Sequence, residues 1–173
     1  MELDFNNILA GQILEEFYRR VFKESIPRIK ICLSIIEDKD LWFSPNENVN
    51  SIGNLILHLD GNARQWILTG LLKSEDKRNR QQEFVPNQNI EKKTLVFILD
   101  TLETDLRRAL KDYKVNDLIN SRPVQVFNES GTSILIHVIE HFSYHTGQIT
   151  FLAKSLTNRP TNYYSDINLE TND

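Results

Sequence analysis

The sequence predicts an all-α fold, a four-helix bundle with long loops between its helices, and three observations carry that reading. Glycine and proline are scarce, at 6 and 5 of 173 residues, which disfavours a turn-rich β fold. Apolar residues recur at spacings of three and four over long stretches of the chain, the period of helices with one buried face. The segments so marked carry no internal repeat, so a bundle is the simplest way to pack them. With 40% hydrophobic residues, the chain can bury one core without staples.

The first helix is expected over roughly residues 4–36. Phe5, Ile8, Leu9, Leu14, Phe17, Val21, Ile29, Cys32, Leu33 and Ile36 mark its apolar positions, and Pro27 should kink or divide it. Residues 41–50, with Pro45 and four asparagine or glutamate residues, read as a loop. A second helix runs from Asn50 or Ser51 to Lys73, with Ile52, Leu55, Ile56, Leu59, Ala63, Trp66 and Ile67 on its apolar face. Residues 74–89 form a polar connection with a short ordered piece around Phe84. The third helix, from Glu91 to Tyr113, shows an inner seam of Leu95, Ile98, Leu102, Leu106, Ala109 and Tyr113. Alternation at Val124, Val126 and Phe127 allows a short strand between Val115 and Ser130. Thr132 is the expected cap of the fourth helix, which runs to about Leu156 with Ile134, Val138, Leu152 and Leu156 facing inward. One domain thus takes residues 1–156, and the polar residues 157–173 are expected to form a poorly ordered tail.

Composition removes several function classes. A net charge of −4, from 24 acidic and 20 basic residues, speaks against nucleic acid as a partner. The first residues lack a basic region followed by an apolar run, so no signal peptide is expected. No apolar stretch approaches the ~20 residues that span a bilayer, so no membrane partner is expected. The single Cys32 sits in the apolar run Ile31–Ile36. It reads as a buried, inert thiol, which fits a reducing cytoplasm. No Gly-x-Ser-x-Gly, phosphate loop or Cys-x-x-Cys is present, so serine-hydrolase, nucleotidase and disulfide chemistry lose their usual signals.

The histidines carry the chemistry. On a wheel at ~100° per residue, His137, His141, His145 and Gln148 fall on or beside the apolar face of the fourth helix. Histidines four apart lie about one turn, ~6 Å, apart, so two such rings can reach one ion at ~2.0–2.1 Å per nitrogen. Three in a row on a core face are costly unless each finds a partner. Hydrogen bonds to neighbouring helices are one solution and a metal is the other. On the second helix a separate stripe holds Ser51, Asn54, His58, Asn62, Gln65 and Thr69. Every member is polar and none has a fixed charge, which suggests a lined cavity or a wet helix–helix seam. His58 is its one metal-capable member.

The segments Asn50-Ser-Ile-Gly-Asn-Leu-Ile-Leu-His58-Leu-Asp-Gly-Asn62 and His137-Val-Ile-Glu-His141-Phe-Ser-Tyr-His145-Thr-Gly-Gln148 resemble the DinB/YfiT-like superfamily, and more closely one of its uncharacterised bacterial branches. Trp42 with its asparagine-rich loop, and Arg78-Asn-Arg80 leading to Glu83-Phe84, also resemble that branch. The resemblance runs to about Leu156. It implies a four-helix bundle, often a homodimer, with a three-histidine site for zinc, nickel or a similar ion. By motif position it makes His58, His141 and His145 the ligands and leaves His137 beside them as a supporting residue.

A site of three neutral imidazoles leaves coordination positions open, unlike the closed sites of structural zinc. Such an ion can activate water or hold a thiol as thiolate. The leading expectation is a metal-dependent transferase joining a low-molecular-weight thiol to a small electrophile. A metal-dependent hydrolase, or a non-catalytic metal-binding stress protein, are the alternatives. Asn54, Asn62 and Gln148 lie about one turn from these histidines and either orient ligands or substrate or serve as interhelical hydrogen bonders. Glu140 and Asp60 read as surface groups, so no general base is assigned. The run Lys73–Arg80 reads as a solvated loop, or as a contact for an anionic thiol or substrate if it folds over the pocket.

Overall fold

Proline at position 27 sets the shape of the first rod. The computed structural model, which describes residues 2–171 and side chains from residue 7 onward, runs unbroken through α1 (Glu2–Phe17), a π-helical stretch (Tyr18–Ser25) and α2 (Ile26–Ile35). Proline lacks an N–H and crowds the carbonyl one turn back. The wider π turn, with the Ile26 N–H bonded to the Val21 carbonyl, takes up that misfit and delivers Pro27 to the first turn of α2, where a missing donor costs little. The expected kink is therefore realised as a change of helical period. Ile8 and Leu9, expected on the buried face, are half exposed, and the side chain of Phe5 lies outside the described residues.

The second rod is α3 (Ile52–Ala63), continued by a π-helical stretch (Arg64–Leu71). Ser51 caps it: its hydroxyl accepts the Asn54 N–H at 3.2 Å. All seven residues of its expected apolar face are buried. The polar connection holds a 3₁₀ turn, Arg80–Phe84. In α4 (Lys92–Leu110) the buried residues are Leu95, Leu99, Leu102, Leu106 and Leu110, so Leu99 and Leu110 take the places expected for Ile98 and Ala109.

A hairpin follows, β1 (Ser121–Val124) paired antiparallel to β2 (Phe127–Ser130). Gln125 turns it in the left-handed region, φ 53°, and Val126, expected in a strand, is the exposed turn residue beside it. Ser130, not Thr132, caps α5 (Gly131–Thr157), its hydroxyl accepting the Ser133 N–H at 3.1 Å. Gly131 is needed there because a Cβ would sit 2.8 Å from the Leu118 Cα. Asn158 in the left-handed region closes the helix.

The four rods give a four-helix architecture with a small hairpin. α5 packs against α1, α2 and α3, and Phe17, Ile29, Leu33, Ile56, Leu59, Leu102 and Phe142 meet in the shared core. No helix of the described residues is long and apolar enough to cross a membrane. Two residues of the polar tail, Tyr163 and Tyr164, dock on the bundle, while residues 165–171 are exposed. The Tyr163 hydroxyl lies 3.0 Å from the Cys32 sulfur and 2.7 Å from the Thr150 hydroxyl, and the Arg28 guanidinium sits over the rings of both tyrosines. Burial, with Cys32 beside it, pushes the Tyr163 hydroxyl up to about 12.

Candidate metal centre

Two helices deliver the rings. Ser51, Asn54, His58 and Asn62 of α3 are buried, so the uncharged polar stripe is an interior seam and not a solvated face. From α5, His141 and His145 sit one turn apart against it. His58 Nε2 and His141 Nε2 approach to 2.9 Å, and one ring nitrogen from each of His58, His141 and His145 falls within 4.8 Å of the others. The ring centroids of His58 lie 4.9 Å from His141 and 5.1 Å from His145.

The surroundings fix which nitrogen each ring offers. Glu83 Oε2 lies 2.8 Å from His58 Nδ1. Arg78 Nη2 lies 3.1 Å from the same nitrogen but donates to Glu83 Oε2 at the shorter 2.8 Å; a carboxylate only accepts, so Nδ1 carries the proton and Nε2 keeps its lone pair. Gln148 Oε1, 2.7 Å from His145 Nδ1, does the same for His145. Two lone pairs therefore stand with His141 among them, in a site too dry to solvate a charged ring. Burial first, then the neighbouring His145, His58 and His137, lowers His141 to about 3. Burial likewise lowers His145, against the opposing bond to Gln148. A proton on His141 can bridge it to His58, but it cannot also serve His145. A divalent cation serves all three, and the donor set fits one.

Glu83 was not read from the sequence as part of the site, and neither were Arg78 and Gly61 as its supports, whereas Asn54 was singled out. Arg78 Nε donates to Glu83 Oε1 at 2.6 Å and Arg78 Nη2 to Oε2 at 2.8 Å. The Arg78 side chain is 3% exposed, so this residue of the expected solvated loop is buried. Burial acts to raise the Glu83 carboxyl, but Arg78 and then His58 outweigh it and hold the group below the usual carboxylate range. Asn54 anchors the same turn, its amide donating to the Glu83 carbonyl at 2.9 Å. Gly61 makes the room: a Cβ there would lie 2.1 Å from Glu83 Oε1. A glycine inside an otherwise helical pattern was the available signal.

His137 stands outside the cluster. It stacks on Trp66 at 3.5 Å, and its Nε2 lies 3.4 Å from the Asn62 amide nitrogen. Burial lowers its pKa. Of the amides singled out, Gln148 touches a ring of the triad, Asn54 holds Glu83, and Asn62 reaches only His137. Glu140 is exposed, as expected. Asp60 is not a surface group: it accepts from Arg64 at 2.9 Å, Arg64 also reaches Asp105 at 2.9 Å, and burial raises its carboxyl.

The sequence model of the family described as "Protein of unknown function (DUF1572)" matches residues 12–167. The chain belongs to the DUF1572 family. That match takes in both histidine-bearing helices, the Arg78–Glu83 turn and the two docked tyrosines. A crystal structure of a DinB-like protein from Bacillus cereus ATCC 10987 superposes with a TM-score of 0.65 at 19% sequence identity, covering 82% of this chain and 91% of that one. At that identity the likeness shows the fold alone. This DUF1572 chain has a DinB-like fold, as the histidine motifs led one to expect. No curated protein matches the sequence.

Proposed function

We propose that this protein is a metal-dependent transferase that joins a low-molecular-weight thiol to a small electrophile at His58, His141 and His145. The observation that carries the reading is the convergence of three imidazoles, with Glu83 setting the tautomer of His58 and Gln148 that of His145. Zinc or nickel suits such a donor set. When bound, the ion would supply the Lewis acidity that favours a thiolate over a thiol at neutral pH.

The chain's own residues support transfer over hydrolysis. Among the described residues, Glu83 is the carboxylate hydrogen-bonded to the triad, and Arg78 and His58 occupy both its oxygens. It positions His58 and is spent as a base. Water at such an ion, like a thiol, can shed its proton before attack. The amine or alkoxide expelled from an amide or ester then calls for a proton donor, which an ion-paired Glu83 does not supply, whereas a halide leaves as the free anion. A thiol can release its proton to solvent beforehand, after which sulfur bonds to the electrophilic carbon and the leaving group departs with its electron pair. A reducing, cytoplasmic setting belongs to the same reading, since the thiol must stay reduced.

Metal content after replacement of each ligand tests the site, and turnover tests the reaction. His58→Ala, His141→Ala and His145→Ala should each lose stoichiometric zinc or nickel by elemental analysis, while His137→Ala keeps it. Metal-loaded protein should consume an aryl halide only when a thiol is supplied. Hydrolysis of esters or amides without thiol would replace this reading with the hydrolase. A saturated ion with no turnover on either panel would leave a non-catalytic metal protein.

A further inference from the structure

A cavity of about 820 Å³ adjoins the third ligand, lined by His145 itself, by α5 and by the asparagine-rich loop that follows Pro45. Its volume is that of a small-molecule site. Eleven residues line it and none is Asp, Glu, Lys or Arg, although these make up 25% of the chain. The contrast with other cavities is sharp. A neighbouring one, which shares Tyr144, Gly147 and Phe151 with it, is lined by Arg20, Glu24, Arg28, Glu140 and Lys154, and the one behind Glu83 by Asp60, Arg64, Glu75, Asp76, Lys77 and Arg78. Neither holds a ligand histidine.

The wall chemistry is of two kinds. Leu55 and Leu152 are buried within it, and Val49 and Phe151 leave apolar surface at its rim, Phe151 with 71% exposure. The amide residues Asn48, Asn50 and Gln148 also line it. Gln148 gives its oxygen to His145, which leaves its NH₂ to donate. Gly147 lines the cavity without a side chain, and a Cβ there meets nothing within 4 Å, so a bulky residue at this position has room to extend over the wall. A charged guest would find no counter-charge in these walls, whereas an apolar body with one carbonyl, amide or hydroxyl group matches them.

We infer that this cavity binds an uncharged small molecule with an apolar body and a hydrogen-bonding group, and that this is the electrophile class of the reaction. The inference deepens the transferase reading and rests on it for the word electrophile, but the binding itself does not require the ion. Metal-free full-length protein can therefore be titrated by equilibrium dialysis with 2-naphthamide and with 2-naphthoate, which share a shape and differ in charge. The amide should bind at least about tenfold more tightly, because the carboxylate would go unpaired. Gly147→Leu, a change that favours the helix, should abolish amide binding while circular dichroism and metal stoichiometry stay as in the parent. Val49→Lys at the rim should move the preference toward the naphthoate. Equal affinity for the two probes, no binding of either, or amide binding unchanged in Gly147→Leu would overturn the inference. Amide binding without any thiol-dependent turnover would sink the transferase and leave the cavity's specificity standing; turnover without charge discrimination would do the reverse.

Discussion

Glu83 shows how much of the site rests on one side chain outside the triad. It fixes the His58 tautomer and neutralises a buried guanidinium. Glu83→Gln keeps the shape but loses the charge and leaves Arg78 unpaired. Metal affinity, measured by competition with a chelating dye, should fall about 10- to 100-fold, the usual effect of losing such a partner. An unchanged affinity would mean that His58 needs no orienting. Gly61→Ala reaches the same point from the helix. Alanine ordinarily stabilises a helix interior by about 1 kcal/mol relative to glycine, yet here the new Cβ would strike Glu83 Oε1. The expected result is weaker metal binding, with no further loss when the two changes are combined, because they remove one interaction. The three rings were legible in the sequence because imidazoles on an apolar wheel need a partner. Glu83 was not, because it arrives from a 3₁₀ turn whose placement no periodicity encodes.

Helices are legible to the extent that one face is apolar and the other is not. α3 met that condition at every expected position. α4 did not: with 3.6 residues per turn Ile98 and Leu99 both border the core, and packing chose the leucine. Caps are decided by where neighbours allow the chain to turn. Ser130 holds the first turn of α5, while the Thr132 hydroxyl reaches only the Leu118 carbonyl, at 3.4 Å. Ser130→Ala should therefore cost about 0.5–2 kcal/mol by chemical denaturation, and Thr132→Ala distinctly less; equal costs would place the cap wrongly. The tail was misread at Tyr163 and Tyr164 because polar composition hid their docking place. Removal of residues 160–173 should let a thiol reagent label Cys32 measurably faster than in the intact chain, where Cys32 is fully buried and bonded to Tyr163. Equal labelling rates would mean that the tail does not cover the sulfur.

The whole molecule carries the cost of keeping the imidazoles neutral, and acid exposes that cost. In the metal-free protein burial lowers His137, His141 and His145 from 6.5, His141 to about 3. Well above 6.5, from about pH 8 upward, folded and unfolded chains both hold neutral rings, so these groups give no slope. Below it the unfolded chain takes up protons that the folded chain refuses, which favours unfolding. The loss continues until the folded rings also titrate, for His141 near pH 3. Glu83, held below 4.5, adds a loss of the same sign only below its ordinary pKa. Asp60, raised by burial, opposes it in that lower range. Thermal unfolding of chelator-treated protein should thus show a midpoint that is level near about pH 8 and declines as pH falls through about 6.5, above the ordinary carboxylate range. His141→Ala should flatten part of that decline, since it removes the ring with the lowest pKa. Bound zinc should raise the midpoint most near neutral pH and less as protons compete for the same nitrogens. A metal-free midpoint that stays level down to about pH 5 would mean that the rings accept protons inside the fold, and a cluster that tolerates its own charge has no need of a cation.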